Sequence, residues 1–359
     1  MNRRFGLDLA RVAAIGLVLI SHFFKKLEFF GIFGVELFFA LSGFLIGGVL
    51  YRSLLNSPRW SFEDVRIFWM RRWYRTVPNY ALFLLVALVF HAYFGGLPSA
   101  GKLAAHLVFA QNFLSGDNPF YGVSWSLAVE EWFYLAFPLM VLAFTFGGLK
   151  RRAAFVATTL LFVLLPPVLR EVAFITEPAA KVRLMTLPRL DAIFYGVGIA
   201  FLVARKPWGR RGRLSGMLLG AFIVLGLVMQ FAVDPAGLDS ISAYRFNLVL
   251  APAAFAMMLP SLQSMHSPGA WLRTPVTNLS LWSYSIYLSH IPVLFTVYEL
   301  FGSRRDDIWV NFLSKMVGLV ACVAISRLIY IHFEHRITEM RPAEEGAKVV
   351  TGVVPTTIH

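Results

Sequence analysis

Residues 31–50 read GIFGVELFFALSGFLIGGVL, twenty consecutive positions with one formal charge, Glu36, and no proline. A helix rising about 1.5 Å per residue needs ~20 such residues to cross the hydrocarbon core of a bilayer, so this stretch reads as a transmembrane span. Nine more apolar stretches of comparable length surround it, at 5–24, 76–97, 125–147, 153–170, 187–204, 214–233, 244–262, 278–302 and 308–332. Composition agrees: 58% of the 359 residues are apolar and 15% charged, against about 45–50% and about 25% in soluble domains. The expected fold is all-α, a polytopic membrane bundle of about ten transmembrane helices. Residues 1–335 are expected to form one transmembrane domain and 336–359 a short, disordered cytoplasmic tail. Disorder of the whole chain, coiled coil and collagen are excluded by the same composition. A single cysteine, Cys322, excludes an intramolecular disulfide, a multi-Cys zinc site and an iron–sulfur cluster, and no metal site is expected. The first stretch is not a cleavable signal, because Asp8 and Arg11 interrupt it and no small-residue cleavage site follows.

An even number of spans puts both termini on one side. Of the 33 Lys and Arg, 20 then fall on that side, 8 in the opposite loops and five inside spans. The positive-inside rule makes the termini cytoplasmic. The net charge of +13 is thereby accounted for by topology and contact with lipid, and no nucleic-acid partner is expected.

Ionisable groups at mid-span cost at least about 2.5–3.5 kcal/mol each, so each needs a partner or a purpose. Arg11 and His22 lie eleven residues apart, three helical turns and ~20°, so they project from one face about 16.5 Å apart along the axis. In the next span, running the other way, Glu36 falls at the depth of His22, where His22 or Lys25 could pair with it; Ser42-Gly43 lie near the midplane and either allow close helix contact or face the interior. Arg71, Arg72 and Arg75 stand in the loop before the third span. Their i,i+3 and i,i+4 spacing would show three guanidiniums on neighbouring faces of a helix, suited to phosphate or to anionic lipid. Glu130 and Glu131 point about 100° apart, so at least one faces the bundle interior. Arg189 and Asp191 read as a local pair, and Glu334 as the partner of a loop arginine. His290 falls near mid-depth. The result is a polar cluster of His22, Glu36 and Glu130 in the outer half and a guanidinium cluster at the inner face.

Taken together these residues resemble acyltransferase family 3, the bacterial membrane-bound O-acyltransferases. The family's Arg and His, separated by ten residues in the first span, are met by Arg11 and His22. Its FF-x-x-SGF block is met by Phe38 to Phe44, its RR-x-x-R…P turn by Arg71 to Pro78. The W-S-L-x-x-E-x-x-F-Y segment is met by Trp125 to Tyr134, and S-Y-S-x-Y-L-x-H by Ser283 to His290. Five motifs in order span nearly the whole chain. Two departures stand out: His335-Arg336 follow Glu334 where the family often has Pro, and the extracytoplasmic hydrolase-like domain of longer members has no counterpart in this sequence.

The resemblance implies transfer of an acyl group, commonly acetyl from acetyl-CoA, to a hydroxyl of a carbohydrate or other acceptor at the bacterial cytoplasmic membrane. It makes the first-span His essential and links the arginines to the donor. On that footing His22 is expected as general base, with Glu36 or Glu130 orienting its ring as the acid does in a triad. Arg71, Arg72 and Arg75 would hold the CoA phosphates, and Arg11 the path of the pantetheine arm. Ser42, Trp125, Ser126, Tyr284 and His290 would line the route or bind substrate. Acyl-CoA enters as donor substrate, with no tightly bound cofactor, and a covalent acyl group on His22 or Ser42 stays open. All of this requires His22 and the cationic mouth to share one cavity. The rival class is a secondary transporter or exporter using the same charges as a pathway; it predicts inverted repeats and interrupted helices, and the sequence displays no such pairing.

Overall fold

A computed structural model describes residues 4–57, 59–117, 120–233, 241–302 and 307–342. The described residues form helices and connecting turns, with no strand among them. In chain order these are α1 (Phe5–Phe23), α2 (Phe30–Asn56), α3 (Phe62–Phe94), α4 (Ala100–Leu107), α5 (Ser124–Phe146), α6 (Arg151–Thr176) and α7 (Ala179–Val182). They continue as α8 (Asp191–Arg205), α9 (Arg210–Val233), α10 (Ile241–Gln263), α11 (Ala270–Phe301), α12 (Ile308–Ile329) and α13 (His335–Glu339). Each of the ten expected spans coincides with one of the long helices. Most of the expected tail, from 343 onwards, lies outside the described residues.

Among the described residues nine helices are long and apolar enough to cross a membrane. The remaining long one, α11, has 32 residues, about 48 Å of helix. Its apolar character is diluted by Ser280, Ser283, Ser285, Ser289 and His290, all buried against protein. Large apolar side chains such as Leu164, Val168, Phe222, Leu225 and Trp309 are instead exposed, as a lipid-facing surface requires.

Several helices run beyond their sequence boundaries, α3 and α6 with consequences for the arginines they carry. α3 starts at Phe62 rather than 76, because Ser61 and Asp64 form a capping box, with the Ser61 N–H donating to Asp64 Oδ2 at 2.8 Å. Arg71, Arg72 and Arg75 are therefore helical, not in a loop. α6 continues past the expected end at 170 to Thr176 and carries Arg170, the last residue of the expected span, into the interior at 1% exposure.

The centre of the bundle is α2, which packs most extensively on α8, then on α1 and α10; α11 lies between α1 and α12. Close approach of α2 and α8 rests on missing side chains. A Cβ on Gly43 would overlap the Ile193 carbonyl, and one on Gly196 the Ala40 carbonyl. Lipid offers no hydrophobic drive between helices, so such backbone contact supplies much of the association energy. Gly43→Val should therefore destabilise the protein by about 1–3 kcal/mol or more. Gly16→Ala, where nothing lies within 4 Å, should shift stability by no more than about 0.5 kcal/mol. Thermal unfolding in detergent compares the two, and equal effects would remove the packing argument.

A candidate active site along the bundle axis

A cavity of ≈ 110 Å³ opens between α1, α2, α3, α5 and α11. Arg11 and Arg75 contribute its cations, and Ser42, Ser126, Glu130 and Tyr134 its other polar groups, with Tyr284 and Tyr287 from α11. Arg11 is aimed from α1 by a clamp: its Nη1 donates to Ser280 Oγ at 2.9 Å and approaches Asp8 Oδ1 at 3.5 Å, while Ser280 donates to the same Asp8 oxygen at 2.8 Å. Asp8, read from sequence only as an interruption, thus neutralises Arg11 one turn away.

Glu130 is the carboxylate of the cavity. Ser42 Oγ donates to its Oε1 at 2.5 Å, and the Tyr134 hydroxyl, one turn along α5, donates to the same oxygen. Ser42 and Gly43 therefore divide the two readings of their motif: the serine faces the cavity and the glycine admits α8. Glu131 is buried towards Thr76 and Trp73 on α3, so both adjacent carboxylates are internal. Ser126 Oγ lies 2.5 Å from the Tyr287 hydroxyl, which donates to the Val123 carbonyl at 3.1 Å. The Tyr284 hydroxyl donates to the Thr76 carbonyl at 2.8 Å and ties α11 to α3.

His22 is held differently from expectation. Its Nδ1 lies 2.8 Å from the Val18 carbonyl and 3.1 Å from Ser21 Oγ. A carbonyl only accepts, so the proton belongs on Nδ1 and the lone pair on Nε2. The ring meets that of His290 edge-on, centroids 4.7 Å apart. His290 is fully buried, its Nδ1 2.6 Å from the Tyr287 carbonyl and its Nε2 without a partner; it backs His22 and does not line the cavity. Neither histidine is on the cavity wall. Tyr287, on that wall, has its ring 5.7 Å from His290 and 6.2 Å from Phe38, another wall residue. The single cavity expected to join His22 to the cationic mouth is thus two regions with Tyr287 at their boundary, and His22 is exposed on its own side.

The carboxylates expected to orient His22 are engaged elsewhere. Glu36, fully buried, forms an ion pair with Arg189, itself fully buried and donating to the Leu248 carbonyl at 3.1 Å. It meets neither His22 nor Lys25, because in helical register its side chain turns towards α8 and α10. Asp191 pairs with Arg170 at 2.9 Å rather than with Arg189, since neighbours two apart on a helix do not face each other. Glu334 accepts from Ser285 at 2.6 Å and Asn79 at 3.0 Å, hydroxyl and amide donors in place of the expected arginine.

The arginine cluster also divides. Arg75 lines the cavity; Arg72 sits 5.8 Å over the Phe68 ring with its Nε unpartnered; Arg71 donates to the Pro342 carbonyl at 2.5 Å. Trp125 is off the cavity, its indole under the guanidinium of Arg183 at 5.2 Å and edge-on to Phe39. Arg183 and Asn79 are polar partners that spacing could not single out, because each acts across helices distant in sequence, whereas Asp8 stands at i,i+3 from Arg11 and was within reach of that rule.

A family model described as an acyltransferase domain matches residues 4–331. O-acetyltransferase OatA of Staphylococcus aureus strain NCTC 8325 is 24% identical over 332 residues, covering 87% of this chain and 54% of that protein. A protein of Bacillus subtilis strain 168, named "Putative peptidoglycan O-acetyltransferase YrhL", is 25% identical over 388 residues, covering 97% of this chain and 60% of that protein. The chain spans little more than half the length of these curated relatives. No solved structure matches it.

Proposed function

The chain belongs to acyltransferase family 3, and on that premise we propose that it is an O-acyltransferase embedded in the bacterial cytoplasmic membrane. It takes an acyl group, acetyl by the relatives' names, from acyl-CoA and transfers it to the hydroxyl of a cell-envelope acceptor, of which peptidoglycan is the class one relative's name suggests. The observation that carries this reading is the pairing of a cavity bearing Arg11 and Arg75 with a histidine beyond it whose Nδ1–H is fixed by the Val18 carbonyl. Both termini and the arginine-rich end face the cytoplasm by the distribution of Lys and Arg, so donor enters from that side.

Arg75, with Arg72 beside it, binds the CoA phosphates in charge-assisted hydrogen bonds. The pantetheine arm runs past Arg11 and Ser42 towards Tyr287. Nε2 of His22 removes the acceptor's hydroxyl proton as its oxygen attacks the thioester carbonyl carbon; the carbon–sulfur bond breaks and the CoA thiolate leaves to take up a proton. Swinging of the Tyr287 side chain from its bond with Ser126 joins the two regions for transfer.

Purified protein incubated with radiolabelled acetyl-CoA should release free thiol and place label on a cell-wall acceptor. Movement of intact donor across vesicles without thioester cleavage would point to a transporter instead. Within the same assay Arg75→Ala should raise the KM for acyl-CoA about ten- to a hundredfold, the range expected for a lost charge-assisted hydrogen bond, with a lesser rise for Arg72→Ala. Unchanged donor dependence in both returns the cluster to anchoring on anionic lipid.

A further inference from the structure

Arg183 follows the short helix α7 and is held from three directions. Val182 and Met185 on either side of it are buried. The Thr186 N–H donates to the Asn112 carbonyl at 2.8 Å, and the Asn112 side-chain amide donates to the carbonyls of Leu184 and Trp125. Gly116 lies so close to the Lys181 carbonyl that a Cβ would overlap it. At the surface Lys181 Nζ stands 2.7 Å from Asp117, and its hydrogen bond and charge hold that carboxyl below its ordinary range.

This fixed segment lays the guanidinium of Arg183 5.2 Å over the Trp125 ring. Its Nε is buried without a partner, and among the described residues no carboxylate lies within ion-pair distance of it. The fully buried arginines Arg170 and Arg189 are neutralised, by Asp191 and Glu36. Arg183 is also near enough to His22 and Tyr287 to act on both electrostatically. A cation kept at the His22 end, stacked on an indole and without an ion-paired carboxylate among the described residues, is disposed to receive an anion from outside, and the guanidinium fork suits carboxylate and phosphate alike.

We propose that Arg183 is the anion subsite of the acceptor, so that the compound whose hydroxyl reaches His22 carries a carboxylate or phosphate group. The proposal rests on the reading of His22 as the acceptor-side base and adds the chemical class of what it acts on. A role confined to packing on Trp125 would give no such selectivity.

The test measures carbethoxylation of His22 by diethyl pyrocarbonate, read by peptide mass spectrometry on the full chain in lipid nanodiscs. The probes are glucuronate, glucose 6-phosphate and glucose, which share a ring and differ at one carbon. Either or both of the anionic sugars should slow modification while glucose does not, and protection by one alone names the group. In Arg183→Gln the apparent affinity of the protecting sugar should fall at least about tenfold, with Arg183→Lys intermediate; each variant's protection is scored against its own unliganded modification rate, and an unchanged thermal transition is the control for folding. Equal effects of all three sugars, protection by none, or full protection of Arg183→Gln would overturn the proposal. Protection does not depend on turnover: intact anion protection in a protein that never cleaves acetyl-CoA would count against the enzymatic reading and still support the subsite.

Discussion

His22→Ala is expected to lose about a hundred- to ten-thousandfold in acyl transfer, the span that a positioned general base contributes, while binding acyl-CoA as the parent does. The separation follows from the geometry. The ring lies off the cavity wall that carries Arg11 and Arg75, so its removal leaves the donor's contacts in place. Its exposed side makes truncation mild for folding, the loss being chiefly the edge contact with His290. Added imidazole should restore part of the rate at the space left by the ring. Ser21→Ala provides the contrast: Ser21 touches Nδ1 at 3.1 Å, but the Val18 carbonyl at 2.8 Å is sufficient to fix the tautomer, so transfer should fall by no more than about threefold. Transfer persisting in His22→Ala would remove the base from His22 and point to the Ser42–Glu130 pair, where a hydroxyl and a carboxylate already share a hydrogen bond in the cavity.

The fold was legible because a bilayer writes its thickness into the chain: each of the ten apolar stretches became a helix. What the sequence obscured were ends and partners. Ser61 and Asp64 spelled a capping box, yet the charges of the following residues masked the helix they begin. α6 runs past the expected end of its span at 170 and buries Arg170. The motif residues Arg11, Ser42, Arg75, Glu130 and Tyr284 do meet around one cavity, since depth along antiparallel helices follows from counting residues. Rotation about each axis does not follow in the same way. Glu36 has the depth of His22 and faces Arg189; Trp125 neighbours Ser126 and turns its ring to Arg183. Spacing fixes height in a bundle, whereas facing depends on how every helix is packed, which no single stretch contains.

Glu36 and Arg189 carry the second large expectation, this time on stability. Both side chains are fully buried and their pair joins α2 to the turn before α8, with Arg189 reaching the Leu248 carbonyl of α10. Arg189→Met leaves a carboxylate without its counter-charge inside the protein and should destabilise by about 3–5 kcal/mol, seen as a collapse of the thermal transition and of membrane yield. Glu36→Met strands the guanidinium and should have a comparable effect. The pair itself is incompletely satisfied, since Glu36 Oε2 and Arg189 Nε have no partners. Replacing both by Met should therefore recover most of the loss, because desolvation of two charges offsets their attraction. The double variant also decides the role of Glu36. If it folds and transfers acyl groups within a fewfold of the parent, Glu36 serves to hold α2, and with it Ser42, in place. If it folds and is inactive, Glu36 takes part in the chemistry despite its ion pair, and the Val18 carbonyl alone is insufficient to orient His22.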